Sequence, residues 1–132
     1  MPFIERVIKW RVPSLRKQEI LWVDVVKFDA LWRGDFVYIE PGGKGSRHGR
    51  YQRIGEWIMA GNDVGMPDIA GDEYLASNGT MGFGNGSHRF SWIRDHGCKA
   101  MPAIIEEDDC TNIKRLVSTD ERVCRVAYKL PP

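Results

Sequence analysis

The sequence predicts a single α+β domain, and three observations support this fold class. Its 132 residues fit one compact domain, which commonly has about 100–150 residues. Five Trp, five Phe and four Tyr supply a large aromatic core for this length. Short β-like runs alternate with segments of helical periodicity, and the sequence contains no internal repeat or linker. We therefore expect residues 1–132 to form one small mixed β-sheet flanked by short helices.

Two strand candidates occupy the first third of the chain. The segment Glu19–Leu31 is rich in Val, Leu, Phe and Trp, which predicts a long strand or a bent pair of strands. Phe36–Ile39 predicts a second, short strand that Pro41 and the following glycines end.

A helix is predicted over Arg50–Ala60, after a polar, glycine-rich loop over residues 42–49. Helical periodicity places Tyr51, Ile54, Trp57 and Ile58 on one face, which we expect to be buried. Gly61 is a natural stop after the helix C-terminus.

The next block predicts a β-hairpin. Asp68–Leu75 and Thr80–Phe83 are β-like, and Asn78-Gly79 between them is a strong hairpin turn signal. A short helix from about His88 to His96, ended by Gly97, follows. The remaining elements are a buried strand, a short helix and a last strand, predicted over Lys99–Ile105, Thr111–Val117 and Arg122–Leu130.

The segment Gly84-Asn85-Gly86-Ser87-His88-Arg89 carries the strongest candidate binding site. A strand leads through two glycines into a helix, so backbone amides can approach a ligand at a helix N-terminus. Ser87 is placed to cap that helix, and His88 and Arg89 add donors beside it. These features predict a cradle for phosphate or another anion. The alternative is a glycine-rich turn with a capped helix and a solvated arginine.

A second basic segment precedes the Arg50 helix. Its cations have no acidic neighbour before Glu56, and they are Lys44, Arg47, His48, Arg50 and Arg53. They predict a basic wall that faces the cradle and helps to bind phosphates of a nucleotide or nucleic acid. A solvated loop is the alternative. The glycine-rich segment Gly42–Ser46 does not match the Walker A pattern GxxxxGK[ST].

The charge balance limits the class of partner. A formal net charge of +1 excludes a polycation that coats nucleic acid without specificity, but it allows a local basic patch. Trp10 and Trp32 are each followed by an arginine, so Trp10, Trp32, Arg33 and Arg47 are candidate anchors for a protein partner.

Cysteine usage and hydropathy predict a cytoplasmic protein. Cys98, Cys110 and Cys124 are odd in number and form no CxxC pair, which favours free thiols in a reducing compartment. The N-terminus lacks a signal-peptide pattern, and no apolar run is long enough to insert into a membrane.

No metal site is predicted. The histidines and cysteines lack zinc-ligand spacing. The acidic run Glu106–Asp109 offers oxygen ligands for a divalent ion or, more simply, forms a solvated loop. Asp24, Asp29 and Asp35 are candidate general bases whose positions the sequence does not fix.

The block Phe83–Ile105 resembles the signature of the ParB/sulfiredoxin superfamily. The match is Gly-Asn-Gly-Ser-His-Arg-Phe, then a short helix ending at Gly97, then a strand that starts near Met101-Pro102-Ala103. Weaker similarity extends back to Arg50. The resemblance implies that family's α+β fold. Sulfiredoxins carry a catalytic cysteine where this chain has Ser87, and a hydroxyl cannot perform that thiolate chemistry.

Within the superfamily, the sequence is similar to plasmid fertility-inhibition factors. The similarity lies in Gly82–Gly97, GFGNGSHRFSWIRDHG, and in Arg50–Trp57, RYQRIGEW. Arg is the family's usual residue at position 87, so Ser87 removes one cation. The resemblance implies a plasmid- or phage-borne interference protein that blocks conjugative transfer by acting on the coupling ATPase or on the transferred DNA.

Two further functions remain open at this point. One is enzymatic: a nucleotide-dependent phosphotransferase, an ATPase or a metal-assisted DNase that uses the same cradle, with ATP or another nucleotide and Mg²⁺ as cofactors. Phosphoryl transfer would need a carboxylate or Mg²⁺ ligands beside Gly84–Arg89. The other is a binding module that has lost its ligand. The sequence assigns no catalytic residue.

Overall fold

The computed structural model describes residues 3–129, and these form the mixed α and β arrangement that the sequence predicts. Two sheets and five helices are present within this range. In chain order the elements are β1 (Phe3–Val7), β2 (Gln18–Asp24), α1 (Val25–Trp32), α2 (Arg50–Met59), β3 (Asp68–Ile69), α3 (Asp72–Asn78), β4 (Phe83–Asn85), α4 (Ser87–Asp95), β5 (Ala100–Glu106), α5 (Thr111–Val117) and β6 (Arg125–Lys129).

The main sheet has four strands in the order β2-β5-β3-β4. β5 lies inside the sheet, antiparallel to β2 and parallel to β3, and β4 is antiparallel to β3. Most β5 side chains are buried, which explains why this strand has a continuous apolar sequence. The predictions for β5, α2, α4 and α5 are confirmed to within about one residue at each end.

A second sheet pairs β1 with β6 in antiparallel register, from Phe3 opposite Lys129 to Val7 opposite Arg125. The last strand is therefore confirmed, although Leu130 lies outside the described residues. β1 has no counterpart among the sequence predictions. Its alternate residues Phe3, Glu5 and Val7 are exposed, so charged and apolar side chains share its outer face and weaken the alternation of an ordinary strand.

The prediction that Glu19–Leu31 is entirely β is wrong in its second half. β2 ends at Asp24, whose side chain accepts a hydrogen bond from the Lys27 amide at 3.0 Å and caps α1. From there the burial period changes from two residues to the helical spacing. The buried side chains of α1 are Val25, Phe28, Asp29 and Trp32.

Phe36–Ile39 forms turns, so the predicted strand is absent there. The amide of Asp35 donates to Trp32 and the amide of Tyr38 donates to Asp35, which closes two successive turns after α1. Phe36 is 90% exposed in this conformation. A β-like composition is insufficient here because no strand within residues 3–129 pairs with this segment.

Only the antiparallel relation of the predicted hairpin is confirmed: its first strand is limited to Asp68–Ile69, its second begins at Phe83, and its turn is wrong. β3 and β4 are antiparallel, but α3 lies between them, and Gly79 adopts a left-handed conformation (φ 74°) as the C-terminal cap of α3. Asp109, within the acidic run, accepts backbone hydrogen bonds from Asp72 and Glu73 at the start of α3. Asp72 in turn caps α5 by accepting from the amides of residues 112 and 113, both at 2.9 Å. The acidic run therefore contributes a helix cap.

An aromatic cluster forms the centre of the core. Trp32 is fully buried and contacts Phe83 and Phe90 edge-on, with ring centroids 4.8 and 5.7 Å apart. Its indole nitrogen donates to Asp35 at 3.3 Å. The prediction of Trp32 as a surface anchor is wrong, because Trp32 is the last buried position of the α1 stripe.

No helix formed within residues 3–129 has the length and apolar character that a bilayer span requires.

Candidate functional site: a basic groove between two helices

A shallow groove of about 350 Å³ separates the outer side of α2 from the start of α4. We call it the basic groove, because four of its eight lining residues are basic. The lining residues are Arg50, Arg53, Ile54, Trp57, Asn85, Gly86, His88 and Arg89. Both basic segments predicted from the sequence contribute to it: Arg50 lines the same groove as His88 and Arg89, and binding of phosphates there stays a prediction.

The two faces of α2 explain how this surface is built. Tyr51, Gly55 and Ile58 form the buried face. Gly55 allows close packing against α4, because a Cβ atom there would overlap the indole of Trp92. The remaining stripe, with helical spacing from Arg50 to Trp57, is left to line the groove. Sequence analysis placed Trp57 on the buried face, but its side chain is 45% exposed.

The position of Trp57 is fixed by a hydrogen bond from its indole nitrogen to the backbone oxygen of Asp63, at 2.6 Å. Asp63 also pairs with Arg11, whose Nη2 lies 3.3 Å from the carboxylate. Trp57 therefore presents an ordered, half-exposed aromatic surface next to the cations. Its spacing of seven residues from Arg50 is the signal that identifies it as part of the basic stripe.

Gly86 begins α4 with a left-handed backbone (φ 91°). A Cβ atom at this position would lie 2.8 Å from the Cα of Pro67. Both the left-handed backbone and this close approach therefore require glycine. Ser87 is the first helical residue and makes no capping hydrogen bond, which corrects its predicted role as a cap. Among residues 3–129, no side chain accepts a hydrogen bond from the first amides of α4.

Arg89 is partly buried at the inner end of the groove. Its Nη1 donates to the backbone oxygen of Gly65 at 2.7 Å, and a Cβ atom at position 65 would lie 2.6 Å from this Nη1, so a larger residue would displace the guanidinium. Burial lowers the pKa of Arg89, the charge of Asp68 opposes this effect, and the charge of Arg11 reinforces it. An arginine remains protonated at neutral pH despite such shifts, so Arg89 contributes a fixed positive charge.

His88 contributes a conditional charge. Burial lowers the pKa of His88 below its ordinary value of 6.5, and the positive charge of Arg50 lowers it further. His88 is therefore mainly neutral at pH 7. Within residues 3–129, Arg50, Arg53, His88 and Arg89 form no ion pair with a carboxylate. No Asp or Glu lines the groove in this part of the chain.

Several predicted ligand-binding residues lie outside the groove. Gly84 is part of β4, and it does not line the groove; nor does Ser87. Lys44 and Arg47 are exposed in the glycine-rich loop before α2. The backbone of Lys44 forms an isolated antiparallel β-bridge with that of Glu40.

A buried ion-pair network holds this glycine-rich loop and α2 against the end of α4. The Nη1 of Arg94 donates to Asp29 and its Nε to Asp95, both at 2.9 Å. Asp95 also accepts from the Tyr51 hydroxyl at 2.7 Å and from the Gly42 amide at 3.0 Å. Burial, together with the hydrogen bond to Asp95, raises the pKa of Tyr51. The network thus fixes α2 relative to α4, which sets the width of the groove.

The predicted partner anchors differ in burial, and Trp32 is fully buried. Trp10 is half-buried, and its indole nitrogen is buried without a hydrogen-bond partner among the described residues. Arg33 is exposed and pairs with Asp29 at 3.2 Å. Arg47 is exposed. Trp57, in contrast, is 45% exposed and lines the groove beside Arg50 and Arg53.

The three candidate general bases have structural roles. Asp24 caps α1, Asp29 pairs with Arg94, and Asp35 accepts hydrogen bonds from Trp32 and Tyr74. The carboxylate that sequence analysis missed is Asp68 of β3. It faces Asn85 across the β3–β4 pair, and its charge acts on Arg89.

These features define an α+β protein with an exposed basic groove. Its sequence matches no model of a protein family, and a search of curated proteins finds no match. A solved structure that it does resemble is the gold(I) cyanide derivative of Oncogenic Suppression Activity Protein, described as a plasmid fertility inhibition factor.

The TM-score with that structure is 0.57, at 15% sequence identity. The match covers 83% of this chain and 60% of the solved one, so this chain spans less than two-thirds of that protein. At this identity the comparison shows a shared fold. The expected structural similarity to a fertility-inhibition factor is confirmed to that extent.

Proposed function

We propose that this protein has a ParB/sulfiredoxin-type fold and interferes with conjugative DNA transfer by binding a partner through the basic groove. The first candidate is an acidic surface on the coupling ATPase of the transfer machinery, and the site of action is the cytoplasm. The fold shared with a plasmid fertility inhibition factor supports the class of function. Its support is limited to fold, so the proposal depends on the groove.

The observation that carries the proposal is the grouping of cations around Trp57 without a carboxylate among them. Trp and Arg are the residues that most often dominate the energy of protein interfaces. A shallow groove also fits a protein surface better than it fits an enclosed small molecule. An acidic partner would neutralise charges that the fold itself leaves unpaired.

The test is inhibition of a purified coupling ATPase by stability-matched variants. Arg53→Ala and Trp57→Ala alter the groove, whereas Arg33→Ala and Arg47→Ala alter arginines outside it. We expect the groove variants to raise the half-inhibitory concentration at least about tenfold each, since interface anchors commonly contribute more than 1.4 kcal/mol. Inhibition should reach its limit near equimolar protein. Unchanged inhibition by both groove variants would refute the proposal.

Single-stranded DNA is the other polyanion that fits this surface, since bases stack on exposed aromatic side chains and cations bind the backbone. Fluorescence-anisotropy titration of a labelled oligonucleotide with the wild type and with Trp57→Ala separates the two partners. If the oligonucleotide binds more tightly than the ATPase, and Trp57→Ala abolishes that binding, the proposed partner is wrong and the transferred strand replaces it.

An enzymatic function is the second candidate, and Asp68 is the observation that favours it. The charge of this carboxylate acts on Arg89, and phosphoryl transfer or DNA cleavage would need such a group as a base or as a ligand for Mg²⁺. An enzyme should inhibit transfer at sub-stoichiometric amounts and lose this activity in Asp68→Asn and Arg89→Ala. A contact inhibitor should tolerate Asp68→Asn. Calorimetric titration of ATP and CTP, with and without Mg²⁺, tests directly for a nucleotide ligand.

A further inference from the structure

Two of the three cysteines lie side by side in the core. The Sγ atoms of Cys98 and Cys124 are 2.6 Å apart, and both residues are buried. This separation is only slightly longer than an S–S bond of about 2.05 Å. Little movement is therefore needed for a bond between the two sulfurs.

The backbone on each side of the pair is already held in place. Cys98 follows the left-handed Gly97 (φ 93°) at the end of α4, and its amide donates to Ile93. Cys124 precedes β6, and its carbonyl accepts from the amide of Ile8 at 2.9 Å. Because both residues are anchored by neighbouring elements, the two thiols stay together as long as the core is folded.

Cys110 provides an internal comparison. It is also buried, but its Sγ donates to the backbone oxygen of Glu107 at 3.3 Å, at the start of α5. The thiol has no cysteine neighbour among the contacts of the described residues. Burial raises the pKa of Cys110, which makes it a poor nucleophile.

We propose that Cys98 and Cys124 are a modification site: they form an intramolecular disulfide when the protein meets a low-molecular-weight disulfide such as oxidised glutathione. The bond would join the end of α4 to the start of β6, and so connect the helix that begins at the basic groove to the two-stranded sheet. The proposal is independent of the function proposed for the groove.

The chemistry balances as two thiol–disulfide exchanges. Cys98 is the more exposed of the two, so its thiolate attacks one sulfur of oxidised glutathione and expels the first glutathione thiolate. The sulfur of Cys124, after loss of its proton, then attacks Cys98 Sγ in the mixed disulfide and expels the second. Two electrons pass from the protein to glutathione, and the two thiol protons go to the two glutathione thiolates that leave.

Folding is the stage at which this bond should form most readily. The hydrogen bond with Cys98 and burial both raise the pKa of Cys124 strongly, which slows exchange in the closed core. Refolding from urea in a glutathione buffer with excess disulfide exposes both thiols and then brings them together. Alkylation under denaturing conditions, followed by mass spectrometry, counts the thiols that remain.

We expect the Cys110→Ala variant to lose the mass of two hydrogen atoms and to take up no alkylating reagent. The wild type should take up one alkyl group, at Cys110. In Cys98→Ala and Cys124→Ala, the remaining core cysteine should be alkylated or joined to glutathione. If Cys110→Ala keeps two reactive thiols after refolding, or if the wild type forms mixed pairings that include Cys110, the proposal is wrong.

Thermal unfolding shows whether the bond fits the native core. The oxidised Cys110→Ala protein should melt on the order of 10 °C above its reduced form, because the bond closes a long loop of the unfolded chain. The double variant Cys98→Ala/Cys110→Ala is the matched control and should melt at the same temperature with or without reductant. An oxidised form that melts at or below the reduced one would contradict a native-like disulfide.

Discussion

Arg94 is a buried cation placed between the carboxylates of Asp29 and Asp95, with only 8% of its side chain exposed. Replacing it with an apolar residue would leave Asp95 with hydrogen bonds but no ion pair, and Asp29 with only the exposed Arg33 as a cation. We expect Arg94→Met to lower the free energy of unfolding by about 3–5 kcal/mol, as measured by urea denaturation.

Arg33→Ala is the control for this prediction, because Arg33 pairs with the same Asp29 from the solvent side. An exposed ion pair contributes little, so the midpoint of unfolding should hardly change. If Arg33→Ala and Arg94→Met lowered the free energy of unfolding equally, burial would not determine how strongly these ion pairs stabilise the protein.

His88 makes the charge of the basic groove depend on pH. Its pKa lies below the ordinary 6.5, so it is mainly neutral at pH 7, and an anionic partner would favour its protonation. Affinity for the partner should therefore rise as the pH falls from about 7 to about 5.5. His88→Gln should remove this dependence, whereas His48→Gln, in the exposed loop, should keep it.

The lowered pKa of His88 has the opposite effect on folding: a fall in pH strengthens partner binding but destabilises the free protein. In the free protein the unfolded state binds the His88 proton more readily than the native state does. The contribution of His88 to stability is therefore present above pH 6.5 and is lost as the pH falls through that value and the lower native pKa. Unfolding of wild type and His88→Gln at two pH values measures the difference.

The two tryptophans Trp32 and Trp57 show what the sequence can predict at the level of one residue. Both lie near arginines, and sequence analysis assigned Trp32 to the surface and Trp57 to the core. Their positions are the reverse, because helical phase decides them: Trp32 continues the buried stripe of α1, and Trp57 continues the stripe that begins at Arg50. The phase of α1 was hidden because the segment was assigned to a strand.

Gly55 sets the distance between α2 and α4. In an exposed helix Gly→Ala would stabilise by about 1 kcal/mol, but here the added methyl group would overlap Trp92. We expect Gly55→Ala to destabilise the protein by about 1–3 kcal/mol through overpacking, measured by thermal or urea unfolding. It should also weaken partner binding by widening the groove.

Gln52→Ala tests the same helix at an exposed position and should be neutral or slightly stabilising. If Gly55→Ala behaves like Gln52→Ala, the two helices do not need the close contact that the structure shows.

Sequence analysis predicts the helices and strands that have a clear local sequence pattern. It fails for those whose ends are fixed by residues distant in the chain. The helix α4 was found from its glycine-rich start and Gly97, and β5 from its apolar run. In contrast, α3 lies in a segment that looked like a hairpin, because its caps come partly from distant residues. Asp109, which accepts two amide hydrogen bonds there, is far away in sequence. Such long-range caps cannot be inferred from local composition.

The whole molecule carries almost no net charge, at +1, so the electrostatics of binding should come from the basic groove alone. We expect affinity for an acidic partner to fall several-fold between about 50 and 300 mM salt, because screening acts on exposed charges. Arg53→Ala should reduce this salt dependence. Lys27→Ala, which removes an exposed cation from α1, should leave it unchanged.

The caps exchanged by α3 and α5 have a consequence for cooperativity. Each helix has seven residues, which is too few to be stable alone. Asp72, the first residue of α3, completes the first turn of α5, and Asp109, two residues before α5, completes that of α3. The two helices should therefore open as one unit in native-state hydrogen exchange, with a common opening free energy for the amides of Glu73 and Ile113.

Replacing Asp72 with Ala removes the acceptor for α5 and should speed exchange in α3 and α5 alike, whereas Glu73→Ala, in the same turn, should speed neither. Faster exchange confined to α5 would mean that the helices open separately. If they open together, α3 connects the short strands β3 and β4 rigidly. The start of α4, which follows β4, is then held in position by two helices whose residues do not line the groove.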